Sequence, residues 1–92
     1  MRKIEKQMIA AIRANKSFKH GNTEVEKCFG AMYVYLFGNL ICYIKRDGTR
    51  EYYTHGWNTV TTRSRLNALG CNCRIKNGVI VYCDTLEPVR CN

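Results

Sequence analysis

Arg63, Ser64 and Arg65 lie in the first turns of an expected helix within the stretch WNTVTTRSRLNALG, Trp57 to Gly70. A helix start offers unpaired amides and a partial positive charge, and arginine beside it adds fork-shaped donors that match phosphate oxygens. The chemistry suggested is a clamp on phosphate. The plainer reading is two solvated arginines, because helical periodicity sends Arg63 and Arg65 about 160° apart, so that they flank the helix. A second basic group, Arg2, Lys3, Lys6 and Arg13, lies near the N-terminus. Such an arc is often just a solvated face. Where it does bind, it contacts a nucleic-acid backbone, with strong salt dependence and no reading of sequence.

Catalytic and metal chemistry find little footing. His20 and His55 have no recognisable nucleophile beside them, and the seven carboxylates form no recognisable pair. No glycine-rich phosphate motif occurs. The expectation is a non-enzymatic protein without a cofactor. Cys71, Cys73, Cys83 and Cys91 could be drawn as a four-thiolate site, but their spacing lacks the two paired knuckles of a zinc module. In a hairpin turning at Asn77 and Gly78, Cys73 pairs with Tyr82 and Asn72 with Cys83, which separates Cys71 and Cys73 from Cys83. No metal is expected, and the six cysteines read as small buried hydrophobes.

The charge balance sets the class of partner. Fifteen Lys and Arg against seven Asp and Glu give a net charge of +8 over 92 residues, a field attractive to polyanions. The backbone of DNA or RNA is the leading partner, and an acidic protein surface or a nucleoprotein complex fits the same field. The segment MRKIEKQMIAAIRANK lacks the apolar run of a signal peptide, and no later run suits a membrane span. A cytoplasmic protein with no membrane partner and with reduced thiols is expected.

These groups must be positioned by a single small domain, residues 1–92. Residues 2–15 form an amphipathic helix, with Ile4, Met8, Ile9, Ala11 and Ile12 on one arc and the basic residues on the next. SFKHGNTEVEK then reads as a polar loop. From Cys28 to His55, β-branched and aromatic residues with turns at Gly38–Asn39 and Asp47–Gly48 predict a three-stranded antiparallel meander. That register pairs Phe37 with Leu40, Tyr35 with Cys42 and Tyr33 with Ile44, and sets Tyr53 beside Cys42. One face carries Tyr33, Tyr35, Phe37, Leu40, Cys42, Ile44 and Tyr53, and the other Met32, Val34, Leu36, Ile41, Tyr43 and Tyr52. Both are apolar enough to be buried. One suits the helices, while the other is an aromatic platform, a dimer interface or the seat of the last hairpin. Tyr33, Tyr35, Tyr53 and Trp57 are accordingly the candidate partner-binding residues, with core packing as the plainer account of the tyrosines.

In the second helix Asn58 or Thr59 caps the start, Leu66 and Leu69 dock, and Gly70 ends it. Trp57 is expected to anchor the helix start in the core. A hairpin around Asn77–Gly78 and an irregular tail complete an α+β fold: N-terminal helix, meander, short helix, C-terminal hairpin.

WNTVTTRSRLNALG resembles the hallmark of a family of small tailed-bacteriophage proteins, as do KIEKQMIAAIRANKSFKHGNTEVE and VYLFGNLICYI. The resemblance covers about the first three quarters of the chain and omits the cysteine-rich hairpin. It departs at Val60, where the family pattern often has proline, a residue preorganised for the first helical position. The resemblance implies a phage origin and the cytoplasm of an infected bacterium, or the virion; it carries no activity over to these residues. Three functions compete: nucleic-acid binding through phosphates, inhibition of a host or anti-phage defence protein or nucleoprotein complex, and a virion component assembling with copies of itself.

Overall fold

The computed structural model describes residues 1–91. Along the chain it places α1 (Lys3–Arg13), β1 (Phe18–His20), β2 (Thr23–Cys28), β3 (Ala31–Leu36), β4 (Asn39–Ile44), β5 (Arg50–Tyr52), α2 (Val60–Ala68), β6 (Cys73–Lys76) and β7 (Val79–Tyr82). The α+β class agrees with the sequence reading, but the arrangement differs. The meander has five strands in the order β1-β2-β3-β4-β5, and β6-β7 form a separate hairpin.

The two added strands come from the stretch expected to be a polar loop. In β2 Thr23 and Val25 point inward and are buried while Glu24 and Glu26 point the other way. Alternation with charged outward positions therefore looks polar in composition while remaining a strand in period. Val25 pairs with Val34 and Phe18 with Val25, so the chain's two most polar strands extend the sheet from its apolar centre.

The expected β3–β4 register is shifted, by two residues beside the loop and by one beyond a bulge. The loop residues are Phe37 and Gly38, both at positive φ (52° and 78°), not Gly38 and Asn39. Leu36 thus pairs with Asn39 and Tyr35 with Leu40, and Val34 pairs with Cys42, leaving Ile41 as the extra residue of a bulge. The bulge turns both Ile41 and Cys42 into the core. The faces are re-sorted accordingly: Met32, Val34, Leu36, Ile41, Cys42 and Ile44 are buried, and Tyr52, not Tyr53, lies opposite Cys42. Tyr33, Tyr35 and Tyr43 share the outer face.

The buried face is covered by α1, α2 and the hairpin. Met8 from α1, Leu66 and Leu69 from α2, and Cys71, Cys73, Ile80 and Val89 from the last segment complete one core. The hairpin register is as expected, with Cys73 opposite Tyr82, and Cys71 and Cys73 are buried while Cys83 is exposed. Its tail is fixed to the sheet by a bridge from Arg90 to Tyr53 and by the Thr54 amide, which donates to the Arg90 carbonyl at 2.7 Å. Among the described residues, the helices and the last hairpin cover the sheet on one side, and its outer face stays open.

Candidate nucleic-acid interface

The stretch that begins at Trp57 serves the fold residue by residue. Thr59 caps α2, its hydroxyl accepting from the Thr62 amide at 3.1 Å. Asn58 Oδ1 accepts from the Ile80 amide at 2.9 Å and ties the hairpin to the helix start. Asn67 grips the hairpin's other strand, donating to the Cys73 carbonyl at 2.9 Å and accepting from its amide at 2.7 Å. At the C-terminal end, the Leu69 carbonyl accepts from Arg50 at 2.7 Å and from the Tyr52 hydroxyl at 3.0 Å. A cation there complements the helix dipole.

Arg65, expected at the surface as half of a phosphate clamp, is instead 3 % exposed and committed inside the fold. Its Nη1 donates to Glu5 Oε2 at 2.7 Å, its Nε to Thr23 Oγ1 at 3.0 Å and its Nη2 to Asn22 Oδ1 at 3.3 Å. Ser64 donates to the same Glu5 oxygen at 2.6 Å, and the Arg2 amide to the other at 3.1 Å. Burial alone would raise the Glu5 pKa. The bonds from Ser64, the Arg2 amide and Arg65, together with the Arg65 charge, outweigh it, and the carboxyl is held below its ordinary value. The clamp is thereby corrected: Arg65 neutralises Glu5, Ser64 donates a hydrogen bond to it, and together they lock α1, α2 and the β1–β2 turn.

This internal pairing changes the surface. Glu5 is the one carboxylate in α1, α2 and β6, and it is buried. The exposed charges of that layer are then Lys3, Lys6 and Arg13 on α1, with Arg2 at its cap, and Arg74 and Lys76 on β6; Arg63, on α2, is half-buried. All are basic. Arg63 shares a groove of about 220 Å³ between the helices with Met1, Glu5, Ser64, Asn67 and Ala68. Of the six expected phosphate ligands, Arg2, Lys3, Lys6 and Arg13 belong to α1 and its cap and Arg63 to α2, and Arg74 and Lys76 are exposed on β6, which packs against α2. Arg74 and Lys76 carry no signal in the sequence beyond their charge, because the packing of β6 against α2 is a tertiary contact.

The tyrosines lie elsewhere. Tyr33 and Tyr43 stack on the open face with ring centroids 4.9 Å apart. Glu26 stands opposite Tyr33, Glu24 opposite Tyr35 and Glu51 opposite Tyr43. Tyr53 donates to Glu51 at 2.7 Å, and Lys45 pairs with the same carboxylate at 3.2 Å. Three glutamates among these rings make the face a poor platform for a polyanion.

Trp57 is not a core anchor; it is 59 % exposed. His55 and Gly56, both at positive φ (51° and 77°), swing the chain outward before it, and Asn58 takes over the anchoring. The indole instead borders a cleft of about 410 Å³ shared with Phe37, Leu36, Ile41 and the threonines of the helix start.

A family model described as Kyanoviridae Gp96 protein matches residues 1–85. The chain belongs to this family. It is accordingly a tailed-phage protein. The Gp96 match runs through β6 and β7, so the family extends over the hairpin that the motif resemblance left out. No curated protein and no solved structure matches the chain. Among the described residues, no helix is long and apolar enough to cross a membrane.

Proposed function

We propose that this Gp96-family protein is a non-enzymatic nucleic-acid-binding protein that holds its partner by phosphate contacts across the layer formed by α1, α2 and β6. The observation that carries the reading is the sign of the charges on those three elements: their only carboxylate, Glu5, is paired internally with Arg65, and every exposed charged side chain on them is basic. Arg2, Lys3, Lys6, Arg13, Arg63, Arg74 and Lys76 supply the charge. Contacts of this type give affinity without base selection.

The test is fluorescence anisotropy with a labelled duplex oligonucleotide over a salt series. A footprint of about five phosphates gives a slope of about −4 to −5 in log K against log salt. Combining Lys6→Glu with Arg63→Glu is expected to flatten that slope by about two phosphates' worth and to weaken unrelated sequences equally. Binding that ignores salt, or that survives both reversals unchanged, rejects the reading.

The open face favours a second reading, docking on a host or defence protein. Its tyrosines carry contact area with little conformational freedom to lose, and the glutamates beside them suit a basic protein rim. Stoichiometric recovery of one host protein after nuclease treatment, abolished by Tyr33→Lys, would support that function over the first.

A further inference from the structure

We infer that the cleft between Phe37 and Trp57 is a binding site for a single unstacked nucleobase, so that the preferred partner is single-stranded nucleic acid; this rests on the nucleic-acid reading above. The argument starts from two side chains that the fold does not need where they are. Phe37 and Trp57 are 69 % and 59 % exposed, and Phe37 occupies the first position of a two-residue hairpin loop at φ 52°. Among the described residues, Asn77 in the β6–β7 loop (φ 52°) and Phe29 in the β2–β3 loop (φ 49°, 85 % exposed) hold the same place, each followed by glycine; of the two phenylalanines, Phe37 borders the cleft with Trp57 and Phe29 does not. A bulky residue at positive φ is strained, and an exposed phenyl ring recovers none of that cost by burial. What Phe37 gains by its position is a place at the mouth of the cleft opposite Trp57.

The cleft's chemistry fits a base. Its floor is Leu36 and Ile41, both buried, and about 410 Å³ is the size of a small-ligand site. Among the described residues, no charged side chain lines it. Among the described residues, the Asn39 amide, the Thr61 hydroxyl and the Trp57 indole N–H make no side-chain hydrogen bond; they are neutral donors and acceptors for a ring edge. Two flanking aromatic rings, an apolar floor and neutral polar groups are the features that hold an unstacked base. The other wall is the start of α2, which leads directly into Arg63 and the basic layer. A strand lying on that layer can thus turn one base into the cleft.

Trp57 is the chain's only tryptophan and reports directly on its own site. The experiment titrates the protein with a short single-stranded oligonucleotide and with the duplex of the same sequence, reading Trp57 fluorescence and the anisotropy of the labelled nucleic acid. The single strand is expected to quench Trp57 and to bind more tightly than the duplex. Phe37→Asn places at this turn the residue found at Asn77, so it should fold at least as well as the parent; it is expected to weaken single-strand binding about 5- to 100-fold and to leave duplex binding unchanged. Equal binding of the two forms without quenching, and indifference to Phe37→Asn, overturns the base site while leaving the phosphate reading intact. No binding of either form at low salt overturns both, and a protein recovered with the parent but not with Phe37→Asn would assign the cleft to a protein side chain.

Discussion

Replacing Arg65 by methionine keeps much of the side chain's length and removes its charge and donors. The structure gives the consequence. Glu5, 2 % exposed, would keep only the Ser64 hydroxyl and the Arg2 amide, while Thr23 Oγ1 loses the donor it accepts from and Asn22 Oδ1 keeps only the Thr23 hydroxyl. Breaking one side of a buried ion pair costs about 3–5 kcal/mol, a large part of the about 5–15 kcal/mol that holds a domain of this kind. At an m-value of about 1–2 kcal/mol/M, the urea midpoint followed by far-ultraviolet circular dichroism falls by about 2 M or more. Adding Glu5→Gln removes the stranded charge and should restore most of the loss, since a buried pair as a whole is worth far less than the penalty for breaking it. The pH dependence supplies a sign. In the native protein the Glu5 pKa is lowered from 4.5, so its contribution is full above that value and is lost as pH falls through the lower, folded value. In Arg65→Met the unpaired buried carboxylate prefers its proton, its folded pKa rises, and the deficit against the native protein shrinks on acidification. A deficit under about 1 kcal/mol, an unchanged pH profile and a loss of polyanion affinity matching that of Arg63→Ala would refute the internal role and return Arg65 to the surface.

Asn67→Ala should cost about 2 kcal/mol, because it strands the amide and the carbonyl of Cys73 that its side chain satisfies; the melting temperature falls by about 8–16 °C, and Arg74→Ala, on the exposed side of the same strand, serves as the unaffected control. Val60→Pro should stabilise by about 0.4–1 kcal/mol in the same thermal assay, since Val60 is the first residue of α2 and its exposed side chain makes room for the ring. Thiol labelling at pH 8 should modify Cys83 and Cys91 in the native protein and reach Cys42 only on unfolding: the first two are exposed, whereas burial pushes the Cys42 thiol up to about 12, offset only in part by Arg50.

The helices and the last hairpin were legible because their signals are local. Thr59 caps where a hydroxyl should, Leu66 and Leu69 fall on one side, and Asn77–Gly78 fixes the register of β6 and β7. The central hairpin misled for a local reason as well. Gly38–Asn39 is the better loop by residue preference, yet it would have turned Cys42 and Ile44 to the same face as Tyr33 and Tyr35. The adopted Phe37–Gly38 loop, with the bulge at Ile41, collects Met32, Val34, Leu36, Ile41, Cys42 and Ile44 in one core. Burial of those six side chains outweighs the strain at one turn residue, because register moves a whole strand's apolar set at once.

The site divides along the same line. The basic arc of α1 was legible from period alone, whereas the fate of Arg65 depended on Glu5, 60 residues away in sequence. A signal for that pairing did exist: Glu5 falls on the apolar arc with Met8, Ile9 and Ile12, where a carboxylate needs a buried partner. Two positive candidates lay near α1 in the final fold, and only Arg65 points inward. Once that pairing is subtracted, together with Asn58, Thr59, Ser64, Asn67 and the leucines, Trp57 and Arg63 are the principal side chains of the motif without a duty in the fold. One borders an aromatic cleft at the helix start and the other a small groove shared with Glu5. A motif held together by structural needs would not require an exposed indole, so the residue that anchoring fails to explain is the one to which function is best assigned.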